Sequence, residues 1–148
     1  MADDGEVCVP ILGDDDVVPA RAEGRSLADR LGFSRTDATL IATAISEMAR
    51  NILVHAGTGE IRLRPSFQNG RCGVLVTAVD SGPGIRDVDA ALQEGVGSGG
   101  GLGLGLPGTR RIMDDFRIET ETGRGTTVRM AKWRVRDELE RLRAKRRQ

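Results

Sequence analysis

Residues 34–57 read SRTDATLIATAISEMARNILVHAG and decide how the rest of the chain is parsed. Ser34 and Asp37 have the spacing of a capping box, in which a hydroxyl and a carboxylate satisfy the free N–H groups of a helix start. Ile41, Ala44, Ile45, Met48 and Ile52 then recur at helical spacing and form one apolar stripe. The helix is expected to run to about Ala56, with Gly57 as its stop. Glu47 and Asn51 stand four residues apart at the edge of that stripe, so they share a helix face beside the core. A carboxylate and an amide oxygen suit Mg²⁺ and the proton of a hydroxyl or water. A solvated glutamate and an ordinary helix asparagine would explain the same pair. His55, the only histidine, continues the spacing and is read as structural.

Before this helix, Glu6 to Ile11 reads as a short strand, and Pro10 favours a sheet edge. Asp14, Asp15 and Asp16 announce a second helix, because acids oppose the dipole at a helix start. Its stripe is Val17, Ala20, Leu27 and Leu31, Pro19 falls in the first turn, and Gly32 ends it. After the long helix, residues 60–65 and 71–80 read as strands joined at Gln68-Asn69-Gly70. A short helix is expected near residues 87–92 and another from Pro107 to Met113. Residues 116–121 and 126–133 read as a final strand pair joined at Gly123-Arg124-Gly125. Strands come in adjacent pairs rather than alternating singly with helices. The expected architecture is therefore an α+β two-layer sandwich, a mixed sheet covered by helices on one face, not a doubly wound parallel sheet.

The chain has 148 residues, enough for one compact domain. That domain is placed at residues 1–133, with 134–148 as a basic tail whose Val135, Leu139 and Leu142 have helical spacing. Net charge is zero but uneven, with six acids and no Lys or Arg in residues 1–20 and seven bases against three acids in residues 134–148. Such ends are ordinarily solvated, or they dock a partner of opposite charge. Aromatic residues are 3% of the chain and only the tail is basic, which argues against nucleic acid as a partner. No apolar run approaches the ~20 residues of a membrane span, and the acidic N-terminus does not read as a signal peptide. Cys8 and Cys72 have no metal-ligand spacing and read as buried free thiols of a reducing cytosol.

Two further motifs carry chemistry. Asp80-Ser81-Gly82-Pro83-Gly84-Ile85 places a carboxylate at the end of an apolar strand, followed by a tight turn. It is either a plain Asx-turn loop or an acceptor for an exocyclic amine, with glycine letting a ring approach the backbone. Residues 95–108 hold eight of the twenty glycines. Leu102, Leu104 and Leu106 interleave with Gly99, Gly100, Gly101, Gly103 and Gly105, which a flexible polar linker would not do. Glycine amides and a following helix start suit phosphate, although neither a Walker A nor a Rossmann sequence is present.

Helix Glu-x-x-x-Asn, then Asp-x-Gly-x-Gly, then a glycine lid, in that order, resembles the GHKL ATPase superfamily, which includes gyrase, Hsp90, histidine kinases, MutL and anti-sigma kinases. The wording Ser46-Glu47-Met48-Ala49-Arg50-Asn51, the lid sequence and the short length look most like the RsbT-type serine/threonine switch kinases of stress signalling. The resemblance covers about Glu6 to Trp133. It implies a Bergerat fold with ATP beneath the glycine lid. Asn51 would then coordinate Mg²⁺, and Asp80 would accept from the adenine amine. Gly82, Gly84 and Ile85 would border the ring, residues 99–105 would cradle the phosphates, and Thr126 would support Asp80 through a water. Glu47 would take the proton from a substrate serine. The implied substrate is a STAS-domain antagonist protein, and the released kinase would activate a PP2C-type phosphatase. A kinase that holds a sigma factor directly, or a non-catalytic nucleotide-dependent binding module, are the alternatives. One departure is that residues 87–109 contain no Lys or Arg to meet the γ-phosphate, which leaves Arg110 or Arg111 as substitutes.

Overall fold

A computed structural model describes residues 5–93 and 105–134. In chain order the elements are β1 (Val7–Ile11), a 3₁₀ turn (Asp14–Asp16), α1 (Val17–Arg30), α2 (Arg35–His55), β2 (Gly59–Gln68), β3 (Arg71–Asp80), α3 (Val88–Ala91), α4 (Gly105–Ile112), β4 (Asp115–Glu121) and β5 (Gly125–Trp133). Every element expected between residues 6 and 133 is present. The apolar pattern of the tail and most of the glycine lid fall outside the described residues.

The five strands form one sheet in the order β1-β2-β3-β5-β4. Each neighbouring pair is antiparallel. The sheet is therefore antiparallel among the described residues, not mixed. The reason lies in the connections. β2 and β3 are joined by a two-residue turn at Asn69 and Gly70, both at positive φ (53° and 76°), the geometry that suits a tight hairpin. β4 and β5 are a second hairpin, and β5 returns beside β3 to close the order. β1 lies at the edge, where Pro10 costs the ladder nothing toward solvent.

Alternation along the strands sorts side chains into two faces. Ile61, Leu63, Val74, Val76, Ala78, Val128 and Met130 are buried on one face. Ile41, Ala44, Ile45, Met48 and Ile52 of α2 meet them in one core cluster, joined by Ala20 and Leu27 of α1. The other face carries exposed charges, among them Arg62 paired with Glu60 and Arg129 paired with Glu119. Cys8 belongs to this second face. It is a free thiol but exposed, not buried, because β1 turns alternate residues away from the helices. Desolvation, then the neighbouring Glu60 carboxylate, hold its thiol above the ordinary range.

α2 starts as its sequence dictates. The Ser34 hydroxyl accepts from the Asp37 N–H at 3.1 Å. Ser34→Ala is expected to cost about 1 kcal/mol, the usual loss for a helix N-cap. A urea titration should show a lower midpoint with an unchanged slope, and an unmoved midpoint would mean that the cap is dispensable.

Candidate functional site

The site lies where β3 ends, beneath the C-terminal half of α2. The register pairs Asp80, last residue of β3, with Thr126 on one side and Gly59 on the other. Asp80 Oδ1 accepts from the N–H of Gly82 at 2.9 Å and from the N–H of Thr126 at 3.3 Å. The carboxylate is thus pinned through one oxygen, and no other group among the described residues holds Oδ2.

Thr126 supports Asp80 through its main chain. Its hydroxyl lies 2.9 Å from the hydroxyl of Thr120. Thr120 also accepts from the Ile85 N–H at 2.9 Å, which ties the turn after β3 to the β4–β5 hairpin. The Gly123 N–H donates to the Pro83 carbonyl at 2.8 Å and ties it again. Two glycines are demanded by this closeness. Gly84 stands at φ +83°, and a Cβ there would lie 2.6 Å from the Glu121 carbonyl oxygen. Gly125 stands at φ +124°, and a Cβ would lie 2.1 Å from the Asp80 carbonyl oxygen. Both are positions that only glycine occupies without displacing backbone.

Around these groups is a cavity of about 200 Å³. Its walls include Asn51, Asp80, Gly84, Ile85 and Thr126, five residues expected to meet a nucleotide. Leu106 and Ala91 supply apolar wall from α4 and α3. His55 lines it too and is exposed. An apolar-walled slot with one pinned carboxylate suits a flat heterocycle that carries an amine.

Glu47 lies one helical turn from Asn51 and is only 8% exposed, so the reading as a solvated glutamate does not hold. Its oxygens have separate partners. Oε2 pairs with the Arg50 guanidinium at 3.0 Å. Oε1 accepts from the Gly105 N–H at 3.0 Å, the first residue of α4. The base candidate is thereby connected to the C-terminal part of the glycine lid, where α4 begins. Among the described residues, no group of three or more His, Cys, Asp or Glu could hold a metal ion. A metal at Asn51 would need most of its ligands from phosphate and water, which fits Mg²⁺ bound with a nucleotide. Gly99, Gly100, Gly101, Leu102, Gly103 and Leu104 lie outside the described residues.

Sequence reasoning missed Thr120 and Arg50. Thr120 is an ordinary strand residue until the sheet places it across from Thr126. Arg50 was legible only as part of a motif, although its i,i+3 spacing from Glu47 is the signal for an ion pair.

Residues 13–132 match the model of the histidine kinase-like ATPase domain. The chain belongs to that family. Within it, the chain is 44% identical over 126 residues to the serine/threonine-protein kinase RsbT of Bacillus subtilis, covering 85% of this chain and 95% of the relative. An anti-sigma F factor of Caldanaerobacter subterraneus is 31% identical over 99 residues, covering 63% of this chain and 68% of the relative. The fold is shared with the RsbU and RsbW domains of a Mycobacterium tuberculosis protein (TM-score 0.61, 16% identity), over 88% of this chain and 33% of that one. It is shared also with a chain of the SiaB–SiaC complex of Pseudomonas aeruginosa (TM-score 0.54, 12% identity), over 86% and 89%. The GHKL-type ATPase fold is thus shown, and the chain is a homologue of protein serine/threonine kinases. No described helix is long and apolar enough to cross a membrane.

Proposed function

We propose that this chain is an ATP-dependent serine/threonine kinase that phosphorylates a STAS-domain antagonist protein and works as a partner switch in the cytoplasm. The observation that supports it most is the buried Glu47 carboxylate, one turn from Asn51, which lines the cavity that ends on the pinned Asp80. In this reading Asp80 Oδ2 accepts from the adenine amine while Gly84 and Ile85 border the ring. Asn51 helps to hold Mg²⁺, which neutralises phosphate charge. Residues 99–104 close on the phosphates through their amides, while the Gly105 N–H holds Glu47.

Glu47 then receives the proton of the acceptor hydroxyl. The hydroxyl oxygen bonds to the γ-phosphorus, and the bond from that phosphorus to the β,γ-bridging oxygen breaks. Phosphoprotein and ADP are the products. Positioning and charge neutralisation dominate such transfers, so a small domain suffices. Its 44% identity to a kinase named RsbT supports a role in stress signalling. The antagonist, once phosphorylated, would release the kinase to bind and activate a PP2C-type phosphatase. Similarity to anti-sigma F factors keeps a sigma factor as the second candidate partner.

The test is incubation with Mg-ATP and a panel of STAS-domain proteins, followed by mass spectrometry. Phosphoserine or phosphothreonine on one of them is the expected result. Binding of ATP with no transfer to any would replace the kinase with a nucleotide-dependent binding module.

A further inference from the structure

On the opposite flank of Glu47 from the nucleotide cavity is a second concavity, of about 380 Å³. Val17, Val18 and Arg21 of α1 form one wall, and Arg50, Leu53 and Val54 of α2 the other. Its position follows from helix geometry. At ~100° per residue, Arg50 lies about 60° to one side of Glu47 and Asn51 about 40° to the other. Glu47, itself buried, therefore lies on the helix between the side that lines the nucleotide cavity and the side that lines this groove.

Two features distinguish the groove from ordinary surface. The first is apolar exposure. Among the described residues four large hydrophobic side chains are well exposed, and two of them, Val18 (56%) and Val54 (60%), line it. A third, Leu12, precedes the lining residue Asp14 by two positions. Exposed apolar groups gathered at one place mark a contact surface. The second is charge. Two guanidinium groups, Arg21 and Arg50, border it against the single carboxylate of Asp14. Arg50 is half exposed and at the same time holds Glu47.

We infer that this groove receives the protein acceptor, as a segment that carries its Ser or Thr between an aliphatic side chain and a carboxylate. The aliphatic group packs between Val18 and Val54. The carboxylate takes up Arg50, which lets go of Glu47 Oε2 and leaves that oxygen facing the acceptor hydroxyl. Arg50 is thus a positioning residue, and docking exchanges one ion pair for another while uncovering the base. The inference rests on the kinase reading, since it describes how the acceptor of that same site arrives.

The test uses the full chain, Mg-ATP and the STAS-domain protein that the wild type phosphorylates. Val18→Asp with Val54→Asp places charge at two exposed positions, so the fold should survive, as a melting curve would confirm. Mg-ATP affinity should stay at the wild-type value while KM for the acceptor rises at least about tenfold, as expected when an interface anchor is lost. Arg50→Met should raise KM, with any loss of kcat small beside it because Glu47 Oε2 is then uncovered from the start, and Arg50→Lys should recover most of KM. Added salt should raise the wild-type KM, because the pairing is between partly exposed charges.

Unchanged KM in the double variant, with transfer intact in the wild type, overturns the groove and leaves the kinase standing. So does a double variant that only dissociates a dimer of this chain without moving KM. Absence of transfer by the wild type to every acceptor overturns both readings at once.

Discussion

Glu47→Gln is expected to bind Mg-ATP as the wild type does and to lose phosphotransfer by about 10²–10⁴-fold, the usual cost of removing a general base. Glutamine is the informative substitution because Glu47 has two attachments. The amide oxygen of glutamine can still accept from the Gly105 N–H, so the connection to α4 persists. What disappears is the basicity of the carboxylate and its charge toward Arg50. Glu47→Ala removes base and anchor together and should be at least as slow. Calorimetry measures the Mg-ATP affinity, and single-turnover transfer to a STAS-domain acceptor measures the loss of rate. Transfer by Glu47→Gln at the wild-type rate would take the base assignment away from this residue.

The second large effect is on affinity. Asp80 Oδ1 already accepts two main-chain N–H groups. In Asp80→Asn, the carbonyl oxygen can keep that position only if the new NH₂ takes the place of Oδ2. There it would meet the adenine amine, donor against donor. The opposite orientation sets the NH₂ against two N–H groups. Either arrangement costs a charge-assisted bond of about 1.5–3 kcal/mol, which is roughly a tenfold to 150-fold loss of ATP affinity. Wild-type affinity in a folded Asp80→Asn protein would place the base of the nucleotide elsewhere.

Much of the fold was legible because its signals are local. The Ser34 cap and the apolar period of α2 are carried by neighbouring residues, and the helix begins and ends within a residue or so of its expected bounds. β3 matches its expected span because an apolar run is bounded by a tight turn and by Asp80. The sheet order was not legible. The pairing of β3 with β5 joins residues some fifty apart, and nothing in either strand names its neighbour. For the same reason the anchoring of Ile85 on Thr120, 35 positions away, emerged only from the assembled sheet. Cys8 was misplaced by assigning a lone thiol to the core by default. Glu47 was placed on the correct face, yet its burial depends on Gly105, 58 positions away.

Trp133 lies buried at the end of β5. Its indole N–H donates to Asp115 and the Arg71 guanidinium sits 4.5 Å above its ring. Thr126, at the cavity, is seven residues back along the strand, which at ~3.3 Å per residue is about 23 Å away. With one tryptophan and no tyrosine, the chain carries a single strong fluorophore, and it stands far from the nucleotide. Intrinsic emission will therefore follow loss of the sheet during denaturation but will be a poor reporter of ATP. A titration that relies on tryptophan quenching would read as no binding even for a fully competent protein.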